Sequence, residues 1–528
     1  MTSQVTPSTL GLLDNLPLEQ RNIGLFLKLR ATEDRDRPYL TFGATTYTFG
    51  DVEQRCRHLA RGLAQRGIKQ GSRVLMLMGN CAEFVFTWYA CNLLGAAIVP
   101  LNTNLKGFLL EAQVEDAAAD AAIVTADFLP AWSGMRDEVK RKLPWLAVTG
   151  EMDNVLPFAA LYVTEGADPE VPGHFSRVGF VSYTSGSTGP SKGVMLPDGL
   201  AFQSACTFIR LSGMRREDVL YSPLPLFHGL SSRMCVLSAL IVGAHAFIDE
   251  KFSASRYWAR AAECHATLGF VVHAVVPLLM AQPASASDRA HHVRAVFNSA
   301  HDTAFEARFG VRTLEAFSMT ETSFLLYNPW PERVVGSTGR AHEDWEIALV
   351  DEHDVPVPAG HPGELVGRPR KPYIAMQGYL NKPQATLDAW RNLWFHTGDI
   401  LRCDEAGNYF YIDRKKERIR RRGENVSSAE VERGVSAHEA IAECAVLAHP
   451  AGAGEDEIRL VAVLKAGAQL RPAELHAWLQ ARLPKHMLPR FIEFVATLPR
   501  TGTDKVEKKT LAAQGLSAGV WDANPVKL

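Results

Sequence analysis

The stretch RVLMLMGNCAEFVFTWYACNLLGAAIVPLN, residues 73–102, decides the fold class of this chain. Arg73–Gly79 is a compact apolar run that ends in glycine, which is typical of a buried strand. Cys81–Gly95 follows with helical periodicity and a terminal glycine, and Ala96–Asn102 has the composition of a second buried strand. A strand, a helix and a strand in this order predict a parallel α/β sheet covered by helices.

The same texture extends along the first half of the chain. Four further apolar segments repeat it: AAIVTAD (121–127), GFVSYTSG (179–186), VLYSPLP (219–225) and RAVFNSA (294–300). From about Gly336 to Asp413, short segments alternate with Gly, Pro, Asn and Asp, which predicts a β-rich subdomain with tight turns. A charged stretch after Asp413 then leads into a compact segment of domain size, so we expect a short hinge there.

Length and composition exclude several classes of protein. The 528 residues, 47% hydrophobic and 22% charged, are sufficient for several domain-sized units with large cores. The formal net charge of −2 gives the whole chain no electrostatic reason to bind nucleic acid or an anionic membrane. A disordered protein, a collagen-like repeat, a basic nucleic-acid scaffold and a small secreted module are therefore excluded.

Nothing in the sequence resembles a targeting or membrane-spanning segment. The eight cysteines include no CxxC pair, which argues against a zinc or thioredoxin-type centre and is typical of a reducing compartment. The N-terminal MTSQVTPSTLGLLDN lacks the basic and apolar regions of a signal peptide. The most apolar stretch, Leu268–Met280, is too short to span a bilayer. We therefore expect a cytoplasmic protein without a membrane span.

The segment YTSGSTGPSKG, Tyr183–Gly193, predicts a phosphate-binding loop. It follows the apolar strand Val178–Ser182, and its small residues allow backbone N–H groups to converge on an anion. Lys192 adds a positive charge, but the loop is not a Walker A motif because its lysine precedes the last glycine. A plain surface loop is the alternative, and it does not explain the preceding strand or the lysine.

This loop resembles the signature of the adenylate-forming superfamily, which includes acyl-CoA synthetases, luciferase-like enzymes and stand-alone adenylation domains. Further segments are similar to other motifs of that family and occur in its order: SPLPLFHG (222–229), FSMTETS (317–323), GELVGRP (363–369), WFHTGDI (394–400), YIDRKKERIRRRGENVSSAEVE (411–432) and LPRTGTDKVEKKTL (498–511). The segments RRRGENVSSAEVE (420–432) and GPSKGVM (189–195) are most similar to the carnitine/crotonobetaine-type CoA ligases.

The resemblance implies an architecture and an activity. Residues 1–413 would form an N-terminal AMP- and acyl-binding domain that includes the β-rich subdomain at about 336–413. Residues 414–416 would form the hinge, and 417–528 a small mobile α+β domain with the catalytic lysine. The implied enzyme is an ATP-dependent carboxylate–CoA ligase: a carboxylate attacks the α-phosphate of ATP, pyrophosphate leaves, and a thiol then displaces AMP. ATP, Mg²⁺ and coenzyme A are the implied cofactors, with a small or medium carboxylic acid as substrate.

Aligned positions imply which residues handle the phosphates. The loop residues that would cradle the β- and γ-phosphates beside Lys192 are Thr184, Ser185, Gly186, Ser187, Thr188 and Gly189. Glu321 aligns with the Mg²⁺ ligand, and a hard cation prefers carboxylate oxygen. Thr320 would hydrogen-bond the α-phosphate. Without the motif, a single glutamate such as Glu321 would be interpreted as a solvated surface residue.

A second set of aligned residues would hold the nucleoside. Phe317, where the family often has tyrosine, would lie against the adenine ring near Ser299 and Ala300. Asp399 would accept hydrogen bonds from the ribose hydroxyls, although an aspartate after glycine is also a common turn residue. Arg414 would reach the same ribose.

Two lysines align with the catalytic lysine of the family's C-terminal domain and with the family's hinge position. Lys505 aligns with the lysine that bridges the ATP phosphate and the attacking carboxylate, although Asp504 and Thr503 replace a common glycine and serine. Lys416 aligns with the hinge position. One small domain cannot present both the lysine and the thiol-accepting surface at once. The resemblance therefore implies rotation of the C-terminal domain about the hinge.

The run RKKERIRRR, residues 414–422, concentrates positive charge within a nearly neutral chain. A solvated face and a nucleic-acid patch are the general interpretations of such a run. Its position inside the hinge motif favours instead the phosphates of coenzyme A, with Arg420, Arg421 and Arg422 as electrostatic partners. Gly423 would let the backbone pass close to the pantetheine arm.

The substrate acid is the least determined part of the prediction. By alignment the walls of the acyl pocket are Phe227, His228 and Gly229 on one side and Asn298, Ser299 and Ala300 on the other. Ser318 replaces a common glycine and would narrow the pocket, and the polar groups of His228 and Asn298 favour an acid with a polar or aromatic end. His228 is equally consistent with a gate or wall role. For Arg233 and His273, we expect a core or surface role.

Other functions share these motifs. A stand-alone adenylation enzyme that acylates a carrier protein is the nearest alternative, and no carrier domain follows Lys505, so that carrier would act in trans. The basic run favours free coenzyme A. A non-catalytic adenylate-binding protein is disfavoured because Glu321, Asp399 and Lys505 are all present. A luciferase-type oxidation is not excluded by motifs, and the oligomeric state, including a homodimer, is left open.

Overall fold

The computed structural model describes residues 17, 21–105, 107–150, 155–169, 173–184, 191–272, 275–298, 301–329, 332–414, 418–421, 424–452, 455–483, 485–501 and 505–524. The chain forms two compact units. Unit 1 comprises residues 1–186, 190–346 and 368–388. Unit 2 comprises residues 187–189, 347–367 and 389–528.

Strands occur throughout both units. In chain order they are β1 Pro38–Phe42, β2 Thr45–Thr48, β3 Arg73–Leu77, β4 Ala97–Pro100, β5 Ala121–Thr125, β6 Leu146–Thr149, β7 Leu156–Pro157, β8 Val178–Thr184, β9 Lys192–Pro197, β10 Val219–Ser222, β11 His245–Ile248, β12 Leu268–Phe270, β13 Ala295–Phe297, β14 Arg312–Leu314, β15 Ala316–Met319, β16 Ser323–Tyr327, β17 Arg340–Ala341, β18 Trp345–Val350, β19 Gly363–Pro369, β20 Gly378–Tyr379, β21 Phe395–Cys403, β22 Tyr409–Arg414, β23 Arg418–Arg421, β24 Glu424–Ser427, β25 Ile441–Gly452, β26 Glu455–Leu464, β27 Phe491–Phe494 and β28 Trp521–Asp522.

Helices alternate with these strands in most of unit 1. They are α1 Ile23–Glu33, α2 Phe49–Gln65, α3 Ala82–Leu93, α4 Gly107–Ala117, α5 Leu129–Ser133, α6 Asp137–Lys140, α7 Asp198–Ser212, α8 Ser238–Val242, α9 Tyr257–Glu263, α10 Val276–Met280, α11 Thr303–Phe309, α12 Pro383–Ala389, α13 Ser428–Ser436, α14 Pro472–Gln480 and α15 Lys508–Gln514. Leu230–Leu237 forms a π-helix. Short 3₁₀ turns occupy Ala126–Phe128, Phe158–Leu161, Ala286–Arg289, Arg391–Leu393 and Lys485–Met487.

The first sheet of unit 1 contains the stretch that predicted the fold. Its strand order is β20-β9-β8-β4-β3-β5-β6-β7. The strands from β8 to β7 are parallel, and β9 and β20 add an antiparallel edge. Strand β3, helix α3 and strand β4 confirm the predicted order, and α3 is buried along nearly its whole length. That burial explains why its sequence is apolar on all faces and not only on one.

The second sheet of unit 1 has the order β14-β13-β12-β10-β11-β1-β2 and is parallel except for the β1–β2 pair. Strand β10 ends in the motif SPLPLFHG, whose last three residues are the predicted pocket wall Phe227, His228 and Gly229, and β13 ends directly before the other predicted wall, Asn298–Ala300. The carboxyl ends of parallel strands are the usual place for ligands in open α/β sheets. A small antiparallel sheet, β15-β16-β17, follows and includes part of the segment FSMTETS.

Residues 336–413 contain β17 to β21 and most of β22, as the alternating turn residues predicted, and the rest of unit 2 is also rich in strands. Strands β18-β19-β21-β22 form one sheet, β23 and β24 form a hairpin, and β25-β26-β27-β28 form another sheet. The core of its C-terminal part contains Val431, Leu460, Leu475 and Ile492, which come from helices α13 and α14 and strands β26 and β27. The predicted boundary at 413–414 stays a prediction, and most of the predicted hinge, including Lys416, lies outside the described residues.

The state of the cysteines and the search for membrane-spanning helices bear on two expectations from the sequence. All eight cysteines are free thiols: Cys56, Cys81, Cys91, Cys206, Cys235, Cys264, Cys403 and Cys444. In the part of the chain that the structure describes, no helix combines the length and the apolar composition that crossing a membrane requires. The apolar stretch 268–280 divides into strand β12 and helix α10.

Candidate active site

Strands β8 and β9 of unit 1, which flank the predicted phosphate-binding loop in the sequence, form an antiparallel pair. Strand β8 ends at Thr184, β9 begins at Lys192, and these two residues are register partners across the hairpin. The Oγ1 atom of Thr184 donates a hydrogen bond to the Lys192 carbonyl over 3.5 Å. The predicted residues Ser185, Gly186, Ser187, Thr188 and Gly189 lie outside the described residues.

Lys192, Tyr379 and Glu321 form a row at the base of this hairpin. The Nζ atom of Lys192 lies 4.5 Å from the centroid of the Tyr379 ring, within cation–π range. The Tyr379 hydroxyl donates a 2.9 Å hydrogen bond to Oε1 of Glu321. Burial, and then the Glu321 carboxylate, raise the pKa of Tyr379 well above its usual value, so the tyrosine remains a neutral donor.

Backbone geometry fixes Glu321 in place. Its carbonyl accepts a 2.7 Å hydrogen bond from the N–H of Met376, and the residue is 7% exposed. The turn ends at Ser323, a non-glycine residue with φ of +58°, whose hydroxyl accepts a 2.6 Å hydrogen bond from Ser204. Sparsely populated backbone conformations of this kind persist where the surroundings enforce them, and they concentrate at functional sites.

Glu321 fits a magnesium ion that shares its ligands with a bound phosphate. Mg²⁺ is commonly held by one or two carboxylates together with substrate phosphates and water. Across the described ranges, no group of three or more His, Cys, Asp or Glu side chains could hold a metal ion by itself.

The remaining predicted residues of this segment lie around Glu321 with different exposure. Phe317 is half-buried in β15, opposite Leu326, while Ser318 is exposed and Thr320 is half-buried. Asn298 directly follows β13, is 1% exposed, and donates its N–H to the carbonyl of Leu314 over 3.1 Å. Ser299 and Ala300 lie outside the described residues.

A second buried carboxylate, Asp399, lies in unit 2. It is 2% exposed in strand β21 and is the register partner of Arg414 in β22. Its Oδ1 atom accepts a 3.4 Å hydrogen bond from the Tyr411 hydroxyl, and its N–H donates to Oγ1 of Thr397 over 3.1 Å. The structure therefore brings the two predicted ribose-binding residues to facing positions. The side chain of Arg414 lies outside the described residues.

Gly398 gives this strand the conformation that Asp399 needs. Its φ of +73° is in the left-handed region that favours glycine, and its N–H donates a 3.1 Å hydrogen bond to Oε1 of Glu364. Glu364 belongs to the segment GELVGRP, which the sequence had only associated with a motif. In the structure, the Glu364 carboxylate of this segment holds the backbone N–H of Gly398, directly before Asp399.

Lys505 of unit 2 is joined to Thr501 by two hydrogen bonds. The N–H of Thr501 donates to the Lys505 carbonyl over 2.7 Å, and the N–H of Lys505 donates to Oγ1 of Thr501 over 3.2 Å. A bridge also pairs Arg500 with Val506. Lys505 itself is exposed, and residues 502–504 lie outside the described residues.

The basic run is only partly available to a ligand. Arg421 is 5% exposed, its Nη2 lies 2.7 Å from Oε2 of Glu457, and its Nη1 donates to the Leu488 carbonyl. Our expectation for Arg421 was therefore wrong, because strand alternation directs it into the interior, where it stabilises unit 2. Arg420 is the register partner of Asn425 in the β23–β24 hairpin, but its side chain lies outside the described residues, as do Arg422 and Gly423.

The predicted acyl wall leads directly into the π-helix. Phe227 is 8% exposed and His228 is exposed, with 4.5 Å between their ring centroids. Gly229 immediately precedes the π-helix, and a Cβ atom there would collide with Nη2 of Arg233. The absence of a side chain at Gly229 therefore makes room for a guanidinium group.

Sequence reasoning missed two tyrosines that hold the predicted carboxylates, Tyr379 and Tyr411. Tyr411 stands in the quoted segment YIDRKKERIRRRGENVSSAEVE, so its proximity to Asp399 follows once β21 and β22 are paired. Tyr379 follows Gly378, whose φ is +143°, in the segment QGYLNKP. That glycine was a turn signal, although it could not reveal the contact with Glu321.

Two family profiles match the chain. That of the AMP-binding enzymes covers residues 27–380, and that of the AMP-binding enzyme C-terminal domain covers residues 430–505. The crotonobetaine/carnitine–CoA ligase of Salmonella typhi is 30% identical over 482 residues, covering 88% of this chain and 93% of the relative. The same enzyme of Salmonella paratyphi A is also 30% identical over 482 residues, with the same coverage. These matches confirm the resemblance that the motifs indicated.

Solved structures share the fold over nearly the whole chain. The anthranilate CoA ligase AuaEII in complex with anthranoyl-AMP has a TM-score of 0.85 at 22% identity, covering 95% of this chain and 98% of that one. The benzoate CoA ligase of Burkholderia xenovorans LB400 has a TM-score of 0.81 at 23% identity, covering 94% and 100%. The O-succinylbenzoate CoA synthetase of Bacillus subtilis with ATP and a magnesium ion has a TM-score of 0.79 at 24% identity, covering 92% and 98%.

Proposed function

This chain belongs to the AMP-binding enzyme family, and on that basis we propose that it is an ATP-dependent carboxylate–CoA ligase. It forms an acyl-adenylate from a carboxylic acid and ATP, releases pyrophosphate, and then forms an acyl-CoA thioester with release of AMP. The observation that carries this proposal is the row of Lys192, Tyr379 and Glu321 at the base of the glycine-rich hairpin. Relatives named crotonobetaine/carnitine–CoA ligase support the same reaction.

The row answers the main physical difficulty of the first step. An anionic carboxylate must approach a polyanion, so charge that develops on the phosphates has to be neutralised. Lys192 supplies a cation at the end of the hairpin, and Glu321 supplies a buried carboxylate for Mg²⁺. When bound, that ion would polarise the phosphate oxygens. Tyr379 keeps Glu321 oriented without competing for charge, because its hydroxyl stays protonated.

The residues proposed to bind the ribose and the proposed catalytic lysine are all residues of unit 2. Asp399 accepts hydrogen bonds from the ribose hydroxyls, and Arg414 is its register partner in the sheet. Lys505 bridges the attacking carboxylate and the phosphate in the first half-reaction. Residues 414–416 act as the hinge about which the C-terminal domain turns before the thiol attacks. The two hydrogen bonds between Lys505 and Thr501 support this role, since a catalytic cation needs a fixed backbone.

Coenzyme A is the proposed acceptor, and the enzyme is proposed to act in the cytoplasm, which the eight free cysteines support. A carrier protein in trans remains the alternative acceptor. Because Arg421 is engaged with Glu457, any phosphate contact from the basic run falls to its other arginines. The acid itself is a small or medium carboxylate.

The decisive experiment separates the two half-reactions. The purified full chain is given ATP, Mg²⁺ and a panel of carboxylic acids, and acid-dependent ATP–pyrophosphate exchange is measured. Coenzyme A is then added, and acyl-CoA is measured by mass spectrometry. Exchange followed by acyl-CoA formation supports the ligase. Exchange without acyl-CoA favours a carrier protein as acceptor, and no exchange with any acid overturns the proposal in favour of a non-catalytic adenylate-binding protein.

A further inference from the structure

Arg233 is a buried cation that has no acidic partner among the residues that the structure describes. It lies in the π-helix Leu230–Leu237, is 4% exposed, and its Nε and Nη1 atoms are fully buried with no hydrogen-bond partner in the described chain. Two other arginines of unit 1 have acidic partners: the buried Arg30 lies 3.1 Å from Asp34, and the half-buried Arg177 lies 3.1 Å from Asp198. Arg233 therefore departs from the way this unit otherwise satisfies buried charge.

An unpaired buried charge is destabilising unless a ligand completes it. Burial lowers the pKa of Arg233 to about 10, so the guanidinium still carries its proton near neutral pH. The ring of Phe180 lies 5.8 Å from its Cζ atom, at the outer limit of a cation–π contact. That contact provides no acceptor for the guanidinium N–H groups, which a planar anion would satisfy in pairs.

The backbone around Arg233 is arranged to keep the guanidinium at the predicted acyl wall. Gly229 follows Phe227 and His228, and any side chain at Gly229 would displace Nη2 of Arg233. The π-helix that contains Arg233 begins directly after Gly229, and this rare helix form is frequent at functional sites. Three features therefore coincide at one position: a missing side chain, an unusual helix and an unpaired cation.

The position of Phe180 relates Arg233 to the phosphate-binding hairpin. Phe180 and Thr184 belong to strand β8 and are separated by an even number of residues, so they share one face of that strand. Four residues of strand correspond to about 13 Å. The guanidinium therefore lies on the side of β8 that Phe180 shares with Thr184.

We propose that Arg233 binds a second negatively charged group of the substrate, and that the substrate is a dicarboxylic acid. This inference rests on the proposed ligase function and specifies its substrate class. One carboxylate is adenylated, and the other forms paired hydrogen bonds with the Arg233 guanidinium. Of the core or surface role expected for Arg233, the structure shows the buried position, and the proposal adds a ligand as its partner.

The test compares matched acids with the wild-type enzyme. Succinate, glutarate and adipate are each paired with the monocarboxylate of equal length: butyrate, valerate and hexanoate. L-carnitine, which has a cationic group, completes the panel. We expect kcat/KM for ATP–pyrophosphate exchange to be about 100-fold higher for the best dicarboxylate than for its matched monocarboxylate, the size of a charge-assisted contact in a buried site. Carnitine is expected to give no exchange.

Variants at position 233 assign that preference to the guanidinium. Arg233→Met should lower kcat/KM for the dicarboxylate about 100-fold while leaving the matched monocarboxylate within about 3-fold, and Arg233→Lys should restore part of the loss. Arg233→Met should melt at or above the wild-type temperature, since it removes an unpaired buried charge. Arg177→Met is the matched control and should melt lower, because Asp198 would be left buried without its cation.

Each contrary outcome has one meaning. A wild-type enzyme that prefers monocarboxylates overturns the inference and leaves the ligase function intact. Equal losses for both acid classes in Arg233→Met overturn it as well, since Arg233 would then act on the reacting groups. A large fall in the melting temperature of Arg233→Met overturns it in favour of a structural role. Absence of exchange with every acid overturns the ligase function itself.

Discussion

Two buried carboxylates, Glu321 in unit 1 and Asp399 in unit 2, are held in similar ways but in different surroundings. Each accepts a hydrogen bond from a tyrosine hydroxyl, over 2.9 Å from Tyr379 and over 3.4 Å from Tyr411. Tyr379 is 7% exposed, whereas Tyr411 is 40% exposed. Water can therefore replace the hydroxyl of Tyr411 but not that of Tyr379. Loss of the tyrosine hydrogen bond should consequently cost more free energy at Glu321 than at Asp399.

The comparison suggests a division of labour. Glu321 lies on a turn with a positive-φ serine and is hydrogen-bonded by Tyr379, whose ring also contacts Lys192, an arrangement suited to fixed charge. Asp399 is a strand residue opposite Arg414, an arrangement suited to accepting hydrogen bonds from a ligand. We therefore expect changes at Glu321 to affect the chemical step most, and changes around Asp399 to affect nucleotide binding.

The largest effect is expected for Glu321→Gln. The substitution keeps the shape and the acceptor for Tyr379 but removes the negative charge that Mg²⁺ requires. We expect ATP–pyrophosphate exchange to fall about 1000-fold, the upper range for loss of a preorganised electrostatic contact. Titration of Mg²⁺ in the same assay should show a higher half-saturating concentration. The control Glu217→Gln, an exposed residue of unit 1, should behave as wild type, and an unchanged Mg²⁺ dependence of Glu321→Gln would contradict the metal role.

Lys505→Ala tests whether a residue of unit 2 also contributes to the chemical step of adenylation. Removal of this cation should slow exchange about 100-fold or more, because a preorganised transition-state donor is lost. Thioester formation from chemically prepared acyl-adenylate and coenzyme A should change far less. Lys509→Ala, which removes an exposed lysine of helix α15, is the matched control. A wild-type exchange rate in Lys505→Ala would show that unit 2 contributes no charge to adenylation.

Tyr379→Phe tests the buried half of the comparison directly. Glu321 would lose its donor in a place that water does not reach readily, at a cost of about 1–3 kcal/mol. We expect a lower melting temperature and a fall in exchange of about 10-fold, with the loss in kcat larger than the change in KM for the acid. Tyr327→Phe is the control, since its hydroxyl donates to the exposed Glu343. Equal behaviour of both variants would remove Tyr379 from the site.

Much of this fold was predictable because its signals are local. The order of β3, α3 and β4 follows from apolar runs ending in glycine, and strand β8 follows from the apolar run Val178–Ser182 before the small residues. Neighbouring positions in the sequence determine both features. The motif order gave the family for the same reason, since each motif is contiguous in sequence.

The parts that sequence could not predict depend on distant residues. Tyr379 is 58 positions from Glu321, and no local pattern links them. The unpaired state of Arg233 is an absence of acids around it within the described chain, which only the folded arrangement reveals. Arg421 failed as a ligand candidate because Glu457, far along the chain, pairs with it in the interior.

Tyr411→Phe is expected to have the smallest effect and is the sharpest test of the comparison. Because Tyr411 is 40% exposed, water can take the place of its hydroxyl at Asp399, so kcat should stay within about 3-fold of wild type. KM for ATP should rise by a similar small factor, and the melting temperature should hardly change. A Tyr411→Phe variant as impaired as Tyr379→Phe would mean that exposure does not decide the value of these hydroxyls. Asp399 would then depend on a fixed donor as Glu321 does, and its role would extend beyond accepting hydrogen bonds from the ribose.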